Sequence, residues 1–131
     1  MKKIISTLFF TIFFLASNAQ NINDKINEVY GSNAQQLVFN DPNRLNFLTN
    51  LLEKRVKIQE SKYLSDDKYP KLSSVPLLNR YNPALERDLQ FNPDNFNPLK
   101  YAFNFYSAKE TVVYRVDNTD YVIVIYPQTS K

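Results

Sequence analysis

Three places in this chain carry side chains that could do chemistry: Asp66-Asp67, Glu86 with Asp88, and the run Asp117-Asn118-Thr119-Asp120. Two neighbouring carboxyls can divide acid and base work when their surroundings push the two pKa values apart. Nothing in the flanking sequence fixes such a separation for either pair, so both are expected to be surface carboxylates. The Asp117–Asp120 run offers oxygen ligands for calcium, but four turn residues are not the spaced ligand loop that calcium takes. It is expected to turn the chain.

The rest of the catalytic repertoire is missing. The chain has no His, Cys or Trp and only one Gly. That excludes Ser-His-Asp and Cys-His nucleophiles, thiolate or imidazole zinc sites, haem ligation by His or Cys, and thiol redox. With Gly31 alone, no phosphate-cradling loop or dinucleotide fingerprint can be written. No cofactor is expected. Tyr63, Tyr69 and Tyr81, beside the prolines, read as packing in an ordered loop in preference to a ligand platform.

These residues must be positioned by a small set of elements. Ile22, Ile26, Val29 and Tyr30 have helical spacing, and Gly31 stands where a helix C-cap glycine sits. A second helix starts at Asp41-Pro42, with Asp as N-cap and Pro in the first turn. Leu45, Phe47, Leu48, Leu51, Leu52, Val56 and Ile58 fall on one side, which predicts an amphipathic helix of about 20 residues. Arg55, Gln59 and Lys62 intrude on that side, so its last turns are expected to leave the core.

Residues 64–98 hold five of the seven prolines. Their apolar content argues for an ordered wrap over the surface. Period-two patterning then predicts strands over Leu99–Tyr106, Thr111–Val116 and Tyr121–Tyr126. Closing the loops on Tyr106/Thr111 and Val116/Tyr121 puts Tyr101, Phe103, Phe105, Val112, Tyr114, Val116, Tyr121, Ile123 and Ile125 on one face. A one-residue slip would mix the faces, so that register is the expected one. The predicted fold is α+β, with N-terminal helices (20–63) on a three-stranded antiparallel meander (99–127), joined by the Pro-rich wrap.

The meander's second face is uneven. Its first strand, including Lys100, and Arg115 read as wet, whereas Val113, Val122, Val124 and Tyr126, with Tyr106, form an apolar cluster. Either the wrap covers that cluster or a partner does. Tyr106, Val113, Val122, Val124 and Tyr126 are therefore the candidate partner surface.

Residues 1–19 read as a secretory signal: Lys2 and Lys3, an apolar run from Ile4 to Leu15, and a small-residue end at Ser17-Asn18-Ala19. The run is too short to span a bilayer, so no transmembrane span is expected after cleavage. Without cysteine the protein is not expected to be a lipoprotein or to hold disulfides. The chain's 131 residues less the leader's 19 leave 112, enough for one domain, 20–131. Two of the 16 Lys and Arg lie in the leader, so the remainder carries 14 against 13 Asp and Glu, a net +1. That balance makes no case for nucleic acid.

The segments FNDPNRLNFLTNLLEKRV and NPLKYAFNFYSAKETVVYRVDNTDYVIVI resemble an uncharacterised family of small exported proteins of Bacteroidota. The resemblance implies the periplasm or the outer-membrane periphery, possibly the exterior, and brings no activity or site residues. The expected function is non-enzymatic protein-protein binding, as an accessory subunit of an envelope assembly. A homodimer through the third strand is a further expectation. The alternative is a small-ligand binder or carboxylate hydrolase with a cleft between the Pro-rich segment and the sheet.

Overall fold

A computed structural model describes residues 21–61 and 68–128. Residues 1–20, with the expected signal, residues 62–67, with Tyr63, Asp66 and Asp67, and residues 129–131 lie outside the described residues. The fold is α+β, with helices in the N-terminal half and a three-stranded antiparallel sheet. Among the described residues no helix is long and apolar enough to cross a membrane.

Helix α1 (21–30) buries Ile26, Val29 and Tyr30. Gly31 follows at φ 57°, a conformation that costs glycine nothing, and its Cα faces the Asn82 side chain. The chain does not stop there; it runs through a 3₁₀ turn (Gly31–Asn33) and a π-helical turn (Gln35–Phe39) that bury Ala34 and Val38.

Helix α2 (Pro42–Asn50) begins as expected. The Asp41 carboxylate accepts from the amides of Asn43 at 3.1 Å and Arg44 at 3.3 Å, with Pro42 in the first turn. Its end differs from the expectation. A π-helical turn (Leu51–Arg55) closes the helix, and Val56–Glu60 is strand β1. Leu51, Leu52, Val56 and Ile58 fit a helical stripe, but Val-Lys-Ile-Gln also alternates with period two, and β-branched residues suit a strand. The strand wins because β3 offers it a ladder.

Strands β2 (Val112–Arg115) and β3 (Tyr121–Ile125) form the expected hairpin. Val112 pairs with Ile125 and Tyr114 with Ile123, and the Val116 amide donates to Tyr121 O at 3.0 Å. Asn118, at φ 60°, supplies the left-handed position of the turn. The third strand of the sheet is β1: Val56 pairs with Ile125 and Ile58 with Ile123, giving the order β1-β3-β2. The meander is therefore corrected, and β3 is central, so a homodimer cannot pair along it.

Leu99–Tyr106 is not a strand. Asn97 caps a 3₁₀ turn (Pro98–Lys100), and the following backbone bonds locally and to residues 76–78, with one bridge between Leu77 and Tyr101. Its alternation is nevertheless real. Tyr101, Phe103 and Phe105 are buried, and Ala102, Asn104 and Tyr106 are exposed. All nine side chains assigned to the inner face belong to the hydrophobic core or pack against it. Phe103 sits 4.7 Å from Tyr114 and 5.8 Å from Tyr101, ring to ring, which ties this segment to the sheet.

The described part of the wrap is ordered, as expected, and buries Leu72, Val75 and Leu85. It bonds along the outer edge of β2, where the Arg115 amide donates to Pro70 O at 2.9 Å.

Arg55, expected to point away from the core, is buried. Its Nε donates to Tyr126 O at 3.0 Å and its Nη2 to Phe105 O at 2.5 Å, while the guanidinium lies over the Phe47 ring. It ties the end of the helix to both chain segments that cross beneath it, and burial lowers its pKa.

Candidate functional site

The expected partner surface divides on inspection. Val122 and Val124 are buried at 1% and 8% exposure, between Gln59 and Lys57 of β1 and Arg115 and Val113 of β2. Val113 and Tyr126 are half-buried. Tyr106 is 70% exposed, so of the five it alone presents a large open surface.

Tyr106 does not stand by itself. Its ring stacks on Phe47 of α2, centroids 5.4 Å apart and 12° from parallel. Arg44, one helical turn before Phe47 and exposed, lies beside the Tyr30 hydroxyl at the end of α1. That neighbour, together with the fields of Tyr81 and Tyr106, holds the Arg44 guanidinium above its ordinary pKa. Tyr30 is itself raised, first by burial, against the lowering pull of Arg44. Tyr81 of the wrap stacks on Tyr30 at 5.0 Å, and Arg80 covers the outer face of Tyr81 at 5.1 Å. The Asn33 side chain donates to Tyr81 O at 3.1 Å, fixing the wrap against α1.

Four segments thus assemble a patch of three tyrosines, Phe47 and two exposed arginines. The patch can offer charge-assisted donors to an acidic group and flat apolar faces beside them. Tyr106 and Tyr81 were visible in the sequence as aromatics. Arg44 and Tyr30 carried no local signal, because only the fold brings them together.

The carboxylates do a different job. A cleft of about 390 Å³ lies where the wrap meets the hairpin tip, lined in part by Ser73, Arg87, Asp88, Tyr101 and Asp117. Its charged groups are engaged. Asp88 accepts from Lys100 Nζ at 3.1 Å and from the Tyr101 hydroxyl at 2.7 Å, and its own amide donates back to that hydroxyl at 3.0 Å. Lys100, expected to be wet, is buried by this pairing. Burial pushes the Tyr101 phenol up to about 12. Arg87 donates to Val75 O at 2.8 Å and Leu72 O at 2.9 Å, and covers the Tyr101 ring.

Asp117 accepts from the Ser73 hydroxyl at 2.6 Å and the Ser73 amide at 3.0 Å. Burial alone would raise its pKa, but these two bonds, with Lys71 nearby, outweigh it and hold the carboxyl below the ordinary value. Thr119 closes the same turn through Val116 O. Among the described residues no group of three or more carboxylates gathers as a metal site. Glu86 is exposed on the wrap, outside the set that lines this cleft.

No protein-family model matches the chain, and neither a curated protein nor a solved structure matches it.

Proposed function

We propose that this is an exported, non-catalytic protein that works by binding another protein of the cell envelope, as an accessory subunit. The observation that carries the reading is the patch around Tyr106: an exposed ring stacked on Phe47, beside Arg44 and the Tyr30/Tyr81 pair. Tyr and Arg are the side chains that most often dominate binding energy at protein interfaces. Here they are rigidly held before any partner arrives, which lowers the ordering cost of binding. Export rests on the pattern of residues 1–19, and the resemblance to small exported proteins of Bacteroidota points to the periplasm or outer-membrane periphery.

The cleft that holds Asp88 and Asp117 supports the same reading. Its carboxylates serve structural bonds: Asp117 fastens the hairpin to the wrap through Ser73, and Asp88 fastens the wrap to the segment after it through Lys100 and Tyr101.

The test is recovery of a stoichiometric partner from solubilised envelopes, compared with the Arg44→Ala/Tyr106→Ala variant. Truncating one such anchor costs about 2 kcal/mol or more, a loss of about 30-fold in affinity. The variant should lose the partner while its urea midpoint stays near that of the wild type. A wild-type chain that recovers nothing, or a variant that binds equally well, overturns the proposal.

A further inference from the structure

A second feature lies along strand β1, on residues other than those of the Tyr106 patch. In the β1/β3 ladder the Ser61 amide donates to Asp120 O at 2.7 Å and the Tyr126 amide to Arg55 O at 2.8 Å. Antiparallel strands alternate bonded and non-bonded pairs, so the odd-numbered residues of β1 bond to β3. Val56, Ile58 and Glu60 then turn their N–H and C=O groups outward, and no other described segment bonds to them. The far edge of β2 differs, because the Arg115 amide there already has Pro70 O. Of the sheet's two edges, β1 is the one along which no described segment bonds.

A cleft of about 240 Å³ runs beside this edge. Val56, Lys57 and Ile58 form one side, and Leu52, Phe96 and Pro93 belong to its apolar wall. Lys25 of α1 also lines it, and borders an adjoining cleft of about 310 Å³ with Ile22, Leu52 and Glu53. No side-chain partner meets the Lys25 ammonium among the described residues, and its partial burial in apolar surroundings lowers its pKa. Lys57, on the outer face of the strand, reaches only the Glu53 carbonyl, at 3.4 Å. An unpaired, half-desolvated cation above an apolar cleft is a place where an incoming carboxylate gains more than it would at an open surface.

We propose that the open edge of β1 takes an extended peptide from a partner protein as a fourth strand. Its backbone bonds to Val56, Ile58 and Glu60, an apolar side chain fills the cleft, and flanking acidic residues meet Lys25 and Lys57. Strand addition supplies affinity through the main chain, and alternate side-chain pockets supply selectivity. Lys25 and Lys57 are the charged residues that line the cleft beside the edge, so a chain with acidic residues next to apolar ones matches it.

The experiment is selection of a random heptapeptide display library on the intact protein, with hydrogen exchange of the best synthetic binder in complex. Selected peptides should alternate apolar with Asp or Glu, and should slow exchange at Val56, Ile58 and Glu60 at least tenfold. N-methylation of the peptide amides that face β1 should abolish binding. The Lys25→Glu/Lys57→Glu variant should bind the same peptide at least tenfold more weakly, with an unchanged urea midpoint. The Arg44→Ala/Tyr106→Ala variant should bind it normally, which separates this site from the patch. No enriched peptide, or binders that leave β1 exchange unaltered, would sink the idea. Protection at β1 that appears with protein concentration alone, with a doubled mass in sedimentation, would give the edge to a second copy instead.

Discussion

Replacing Arg55 by methionine keeps the aliphatic stem and removes only the guanidinium. A buried carbonyl, Phe105 O, and a part-buried one, Tyr126 O, would lose their side-chain donor. An orphaned buried acceptor costs about 1–3 kcal/mol. The relief of no longer burying a cation offsets part of that sum, leaving a net loss of about 2–4 kcal/mol. Domains of this size hold about 5–15 kcal/mol in all, so the variant should fold but sit close to its limit. In urea the midpoint should fall by about 1–2 M at unchanged slope. Arg55→Lys should fall between the two, because one ammonium cannot reproduce a fork aimed at two carbonyls. Amide exchange adds a local readout: the Tyr126 amide, which donates to Arg55 O at 2.8 Å, should lose protection ahead of the β2/β3 hairpin. A midpoint within experimental error of the wild type would refute the idea that Arg55 fastens the helix end to the segments beneath it.

Other expectations follow from the bonds that fasten the wrap to Lys100 and Tyr101 and to the hairpin. Asp88→Ala leaves the buried Lys100 ammonium without its partner, and should cost about 3 kcal/mol in urea unfolding, whereas Asp88→Ala/Lys100→Met should recover much of it. Tyr101 ionises at about 12 in the folded chain against an ordinary value near 10, so its contribution is intact below pH 10 and is lost as pH rises toward 12. Unfolding measured across that window should steepen in the wild type and flatten in Tyr101→Phe. Asp117 shifts the other way: its contribution is full above the ordinary carboxyl pKa and drains as pH falls through its lowered folded value. Ser73→Ala should reduce that acid dependence, which an acid titration of stability reads directly.

What the sequence disclosed depended on whether the deciding contacts were local. The α2 start was legible because Asp41 caps amides two and three residues ahead. The hairpin register was legible because the parity of nine side chains tolerates no slip. The end of α2 was not, since Leu51, Leu52, Val56 and Ile58 satisfy both periods and the choice lies with β3, far along the chain. Leu99–Tyr106 shows the opposite error: its in-and-out alternation is correct, but the ladder it implied belongs to β1. Of the candidate partner surface, the exposure of Tyr106 was legible from its parity, while Arg44 and Tyr30 become neighbours only through the fold. The burial of Val122 and Val124 could not be read from strand parity, which assigns a face but not what stands over it.

The position of β3 has a consequence for the order in which the protein can assemble. β3 holds the middle of the sheet, yet it follows both neighbours in the sequence, so neither β1 nor β2 has a ladder until Tyr121–Ile125 arrives. Until then, Val56 and Ile58 can lie on the apolar stripe of a longer helix, since their spacing from Leu51 and Leu52 permits it. The strand would form by unwinding that extension at Arg55 as β3 docks. The slow step would then be closure of the long loop between β1 and β3, where entropy is lost before any pairing is gained. A chain that emerges N-terminus first would stay unlocked until Tyr121–Ile125 had appeared.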